Sequence, residues 1–158
     1  MLILGLNAFH ADASACLIRD GVLIAAAEEE RFRRVKHWAG FPSEAIRWCL
    51  QAAGVRLTDI DHLAINQDSK ANMWARAEFL VRQRPDMAFV LDRMRNRKER
   101  TGAPELLEQV FPGERFRGAF HAVEHHLAHL SSAFHVSPFD EAFALSVDGF
   151  GDFASAAW

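Results

Sequence analysis

Three apolar runs of strand length open this chain, and Asp20-Gly21 joins the last two. Leu2–Asn7, Ala13–Arg19 and Val22–Ala27 are the runs. Asp-Gly between two of them is a strong hairpin signal, because both residues tolerate a positive φ. A chain that begins this way builds an antiparallel sheet, and the apolar face of that sheet has to be covered. Pro42-Ser43 then marks a helix start, with Ser43 expected as N-cap and Gly54 at the C′ position. Between them Ala45, Ile46, Cys49, Leu50 and Ala53 share one helical face, so this helix is expected to supply the cover.

Further on, His62–Asn66 and Phe116–His121 read as strands, and Glu124–Phe134 reads as a helix. Helical character is expected from Lys70 to Arg100, with a break at Pro85. Ser137-Pro138 is a boundary signal, and Ala142–Val147 begins a new strand set. The order βββαβαβα followed by fresh strands implies an α/β domain with a mixed sheet. There is also a weak internal repeat. L-G-L-N-A-F (4–9) aligns on L-S-V-D-G-F (145–150), and D-A-S-A (12–15) on D-F-A-S-A (152–156). Residues 153–158 read as a strand with no turn after it, so the sequence is expected to be part of a longer protein.

With 158 residues, half of them apolar, the chain can bury a sizeable core. A net charge of -3 argues against nucleic acid or an anionic membrane as the main partner. No apolar run is long enough to span a bilayer, and the N-terminus lacks a signal-type pattern. Cys16 and Cys49 sit in apolar segments and match no metal or redox spacing. They read as reduced core residues of a cytoplasmic protein.

The strongest chemical signal is V-E-H-H-L-A-H-L (123–130). His125 and His129 are four residues apart, so on a helix both imidazoles project from one face and can share a divalent cation. The spacing resembles the zinc-peptidase pattern H-E-x-x-H. His126, however, occupies the place where that pattern puts its general-base Glu, so the peptidase reading loses its catalytic residue. Two loops add candidates. Asp148, Gly149, Gly151 and Asp152 form a glycine-bearing bend that suits close approach to a phosphate, with aspartates able to hold a hydrated cation such as Mg2+. Asn7, His10 and Asp12 form the other, between the first two strands. The mixed-charge run E-E-E-R-F-R-R-V-K-H (28–37) reads either as a solvated loop or as an anion site. In the second reading Lys36 and His37 are the best candidates, because Trp38 and Phe41 follow them. The segment from Lys70 to Arg100, rich in Arg and Lys, reads as a charged helical insertion with a solvated face.

Taken together, G-L-N-A-F-H-A-D-A-S-A (5–15), A-E-E-E-R-F-R-R-V-K-H-W-A-G-F-P (27–42), E-H-H-L-A-H-L-S-S-A-F (124–134) and S-V-D-G-F-G-D (146–152) resemble the O-carbamoyltransferases of nodulation factors and antibiotics. That family is similar to the tRNA threonylcarbamoyl transferases. The resemblance implies the duplicated actin-like ATPase (RNase H-like) fold, with 1–138 as its first subdomain and 139–158 as the start of the second. It implies that the whole protein makes carbamoyl adenylate from ATP and carbamoyl phosphate, and passes the carbamoyl group to a hydroxyl-bearing small-molecule acceptor. His125 and His129 would be the metal pair, with Fe2+ the expected ion; imidazole ligands alone equally admit Zn2+ or Mn2+. A further carboxylate ligand is expected from a later part of the family's sequence. His10 would lie in the transfer site, Lys36 would contact the adenylate, and Asp148 to Asp152 would form a phosphate-binding hairpin. A metal- and nucleotide-binding module without turnover is the alternative, and homo-oligomerisation is left open.

Overall fold

The computed structural model describes residues 1–68, 70–74, 78, 82, 102–152 and 154–158. In chain order its elements are β1 (Leu2–Asn7), β2 (Ser14–Arg19), β3 (Val22–Glu28), α1 (Glu30–Arg33), α2 (Ser43–Ala53), a 3-10 turn (Leu57–Asp59) and β4 (His62–Ile65). There follow α3 (Ala103–Val110), β5 (Ala119–Ala122), α4 (His125–Phe134), β6 (Ser146–Gly151) and β7 (Ala154–Ala157). Most of the helical stretch expected between Lys70 and Arg100, with its break at Pro85, lies outside the described residues. The short helices α1 and α3 are additions to the expected order. Among the described residues, no helix is long and apolar enough to cross a membrane.

Strands β1 to β5 form one sheet in the order β3-β2-β1-β4-β5. β1 pairs antiparallel with β2, and β2 with β3, while β1 and β4 are parallel. This is the mixed α/β architecture expected from the sequence. At the hairpin, Asp20 (φ 51) and Gly21 (φ 84) both take the left-handed conformation that a tight two-residue turn requires. Strand alternation then sends Leu4, Leu6, Ala15, Leu17, Ala25, Leu63 and Ile65 into one core. Ala45, Ile46, Cys49 and Leu50 of α2 pack into that core, and Ala103 and Leu107 of α3 join it. Fully burying one such leucine contributes about 1.5–3 kcal/mol.

The start of α2 differs from expectation. Ser43 is the first helical residue rather than the cap, and Pro42 in the cap position offers no side-chain acceptor. The exposed backbone N–H groups are met instead by Glu29, whose side chain is wholly buried. Its Oε2 accepts from the Ala45 N–H at 2.8 Å, and Oε1 from the Glu44 N–H at 3.2 Å. Arg33 Nε donates to Oε1 at 2.7 Å, so the buried charge is both paired and placed at the positive end of a helix. The Gly54 end behaves as expected, left-handed (φ 64) and donating to the carbonyls of Gln51 and Leu50.

The chain divides into two compact units, Met1–Asn66 with Glu99–His121, and Gln67–Lys98 with Ala122–Trp158. The first holds the sheet and α2. The second holds α4 and the hairpin of β6 and β7, and the Ser137-Pro138 signal falls inside it.

Glu29→Ala leaves the α2 N–H groups and Arg33 without their shared acceptor. It should cost about 2–4 kcal/mol, read as a lower urea midpoint with an unchanged m-value, and Glu29→Gln should cost less.

Candidate metal centre

In the second unit, α4 begins at His125 because Glu124 caps it, its Oε2 accepting from the Leu127 N–H at 2.7 Å. The helix puts His125 and His129 on one face, with their Nε2 atoms 3.1 Å apart. Asp148 of β6 meets them there. Its Oδ2 lies 2.7 Å from Nε2 of His125 and 3.4 Å from Nε2 of His129. Among the described residues this is the group of His, Cys, Asp and Glu side chains whose ligand atoms converge well enough to hold a metal ion.

The donor set fits a divalent cation. Metal–ligand bonds of about 2.1 Å at tetrahedral or octahedral angles place neighbouring donor atoms about 3.0–3.4 Å apart, which matches two of the three separations, while the 2.7 Å His125–Asp148 contact is a hydrogen bond that an ion would lengthen. Two imidazole nitrogens and one carboxylate oxygen suit Fe2+, Zn2+ or Mn2+ better than Ca2+. His125 is mostly enclosed (13 % exposed), whereas His129 is half exposed, which leaves one side of the trio open to water or a ligand.

Three further contacts hold the trio in register. His126, fully buried, turns the other way, and its Nδ1 lies 2.9 Å from the Ser146 hydroxyl. Ser146 is two residues before Asp148 on the same strand, so this bond sets the strand against the helix at the right height. Gly151 sits so close to His125 that a Cβ there would overlap the imidazole ring. Asp152, left-handed at φ 45, ends the trio's surroundings, its Oδ2 accepting from the N–H groups of His125 (3.0 Å) and Asp68 (2.8 Å). Asn72 donates to the Asp152 carbonyl at 2.8 Å.

The bend expected from Asp148 to Asp152 is therefore mostly strand. β6 runs through Gly151 with a register shift against β7 between Val147 and Gly151, and the tight turn lies at its end. Asp148 Oδ1 accepts from the Gly149 N–H at 2.5 Å, and open space surrounds the Gly149 Cα. Hydrogen bonding from His125, the Gly149 N–H and the two imidazoles hold the Asp148 carboxyl down at about 2.

The first unit gathers the other candidates in two loops. Asn7 donates from Nδ2 to the Asp12 carbonyl at 2.8 Å and accepts at Oδ1 from Asn66 Nδ2 at 3.0 Å. The Phe9 N–H donates to the Gly40 carbonyl and the Ala13 N–H to that of Trp38, which ties the β1–β2 loop to residues 38–40. Phe9, Asp12 and His37 all take left-handed φ values, a conformation that non-glycine residues hold only where the surroundings enforce it. His10 Nδ1 faces the Ala11 carbonyl at 3.3 Å. His37 Nδ1 lies 2.9 Å from Asp12 Oδ1. That hydrogen bond, then the Asp12 charge and more weakly that of Glu30, raise the His37 pKa. Lys36 is exposed. Sequence reasoning missed Glu29 as a buried anion and did not place Asp148 beside the histidines. No linear signal separates Glu29 from its neighbours Glu28 and Glu30.

A family model described as Carbamoyltransferase N-terminus matches residues 2–158. The chain belongs to that family. Nodulation protein NolNO of Sinorhizobium fredii is 40% identical over 149 residues, covering 94% of this chain and 21% of the relative. An uncharacterized protein of Synechocystis, sll1178, is 32% identical over 168 residues, covering 98% of this chain and 26% of that protein. The chain thus spans about a fifth to a quarter of the length of these relatives. Among solved structures, YeaZ from Pseudomonas aeruginosa aligns at 21% identity and a TM-score of 0.33, covering 58% of this chain and 40% of that one. A protein with similarity to peptidase YeaZ aligns at 17% identity and a TM-score of 0.41, covering 87% and 49%.

In metal-free protein, carboxyl NMR should find Asp148 titrating at about 2. Gly151→Ala, by displacing the His125 ring, should return it toward the ordinary value of about 3.9. Since folding depresses this pKa, the contact stabilises the fold above the unfolded value and is lost as pH falls through about 2.

His37 should titrate above the ordinary histidine value, and Asp12→Asn should bring its proton NMR midpoint back to about 6.5. Here folding raises the pKa. The pair therefore adds stability fully below the unfolded value, and that stability is lost as pH rises through the raised one.

Proposed function

We propose that the chain is the N-terminal part of an O-carbamoyltransferase that transfers a carbamoyl group from carbamoyl adenylate to an acceptor hydroxyl. ATP and carbamoyl phosphate are the sources of that adenylate. The observation that carries this reading is the convergence of His125, His129 and Asp148 in a chain of the carbamoyltransferase family. Those three side chains would hold the metal, with Fe2+ the expected ion. When bound, it supplies Lewis-acid polarisation of a carbonyl and offsets negative charge on a leaving group.

The chain's own residues supply the rest. His10 is the proton acceptor. Its Nδ1 lies 3.3 Å from the Ala11 carbonyl, and the tautomer protonated at Nδ1 carries its lone pair at Nε2. That nitrogen takes the proton of the acceptor hydroxyl as its oxygen bonds to the carbamoyl carbon, and the bond from that carbon to the adenylate phosphate oxygen breaks to release AMP. Lys36 offsets phosphate charge on the adenylate, with His37, held by Asp12, beside it in sequence. Asn7 keeps the β1–β2 loop closed through the Asp12 carbonyl, and so sets the position of His10. The backbone of Gly149 and Gly151 and the Asp152 carboxylate are the remaining nucleotide-side candidates.

Full-length protein given ATP, carbamoyl phosphate and sugar, aminoglycoside or polyketide alcohols should yield AMP and a carbamoylated acceptor by mass spectrometry. His10→Ala should slow transfer about 100-fold, and His125→Ala should lose both metal and product. Binding of ATP without product would favour the module without turnover. Phosphorylated acceptor would favour a kinase.

A further inference from the structure

We propose a second, separate cation site in the first unit, a clamp made by His62 of β4 and His121 of β5 that takes a borderline divalent ion such as Cu2+, Ni2+ or Zn2+. The two strands are neighbours in the sheet, and β5 is its edge. The Ala119 N–H donates to the Asp61 carbonyl at 2.8 Å, which fixes their offset. Leu63 and Ile65 of β4 point into the core, so alternation turns His62 to the opposite face, where His121 reaches it diagonally. The rings stand 5.1 Å apart between centroids at 51°, and they meet at their nitrogens rather than stacking. Nδ1 of His62 and Nε2 of His121 are 3.0 Å apart.

Without a cation, one of these two nitrogens must carry the proton for the other, so a single lone pair is satisfied. With a cation between them, both lone pairs are used. Their separation matches the edge of a coordination shell with bonds of about 2.1 Å, about 3.0–3.4 Å for octahedral or tetrahedral angles. His121 is exposed and His62 half-buried, so an ion can enter without the fold opening. Among the described residues no third His, Cys, Asp or Glu completes the pair, so water fills the remaining positions. An all-imidazole donor set selects against Mg2+ and Ca2+, which require oxygen ligands, and ranks Cu2+ first among the late divalent ions. The site differs in this from the carboxylate-bearing trio, and it stands or falls independently of the carbamoyl-transfer reading. Its occupation would cross-link the edge strand β5 to β4.

The test is copper titration of the full-length protein carrying His125→Ala and His129→Ala, followed by electron paramagnetic resonance. The expected result is one Cu2+ per chain with hyperfine structure from two imidazole nitrogens. Adding His62→Gln or His121→Gln should weaken that binding by about tenfold or more and remove the two-nitrogen pattern. An unchanged spectrum and affinity in both Gln variants would overturn the proposal. So would uptake only at millimolar copper, the behaviour of an adventitious ion only.

Discussion

The N-terminal end of α2 presents backbone N–H groups toward the sheet, and the buried carboxylate of Glu29 receives them. A charge in that position is tolerable only because Arg33 pairs with it and the helix dipole favours it. The consequences spread outward from there. With α2 docked on β2 and β3, residues 34–42 have a short path to follow across the end of the sheet. Arg33 closes part of that path by reaching Ser43 and stacking on Trp38 at 4.5 Å. The path then pairs through its backbone with the β1–β2 loop, and Phe9 packs on Phe41. The loops that carry His10, Asp12, Lys36 and His37 are thereby held in conformations that non-glycine residues seldom adopt.

The trio of His125, His129 and Asp148 rests on a different set of constraints. Helical periodicity alone brings His125 and His129 together, since residues one turn apart share a face. Asp148 arrives by strand alternation, and only because a buried His126–Ser146 bond matches β6 to α4. Gly151 then allows the His125 ring to lie against the strand, and Asp152 holds the first N–H of the helix. A histidine pair on a helix is common; a carboxylate delivered to it by a separately braced strand is what turns the pair into a candidate ligand set.

Much of this was legible in the residues. The Asp20-Gly21 hairpin, the span of β1, the Gly54 stop of α2 and the histidine helix all follow from local rules about φ, periodicity and capping. Four blocks of residues pointed to the carbamoyltransferases, and the family match over residues 2–158 agrees. The misses share a cause. Ser43 looked like a cap because Ser after Pro usually caps, but the acceptor came from fourteen residues earlier in sequence, folded underneath the helix. Asp148 looked like part of a glycine-bearing bend, because two glycines nearby favour a turn. It lies instead on β6, in the irregular stretch between the paired residues Val147 and Gly151, with its carboxylate against the histidines.

The sequence by itself therefore determined the first four strands, α2 and the histidine helix, which of their faces are apolar, and that His125 and His129 point the same way. Those properties depend on neighbours within a turn or two of chain. Tertiary structure alone decided which carboxylates are buried beneath a helix, which meet the histidine pair and which remain on the surface. Glu28, Glu29 and Glu30 are chemically alike, and so are Asp148 and Asp152. Their roles differ because desolvation and hydrogen bonding are set by what the fold places within about 3 Å of each oxygen, and that neighbour is usually remote in sequence.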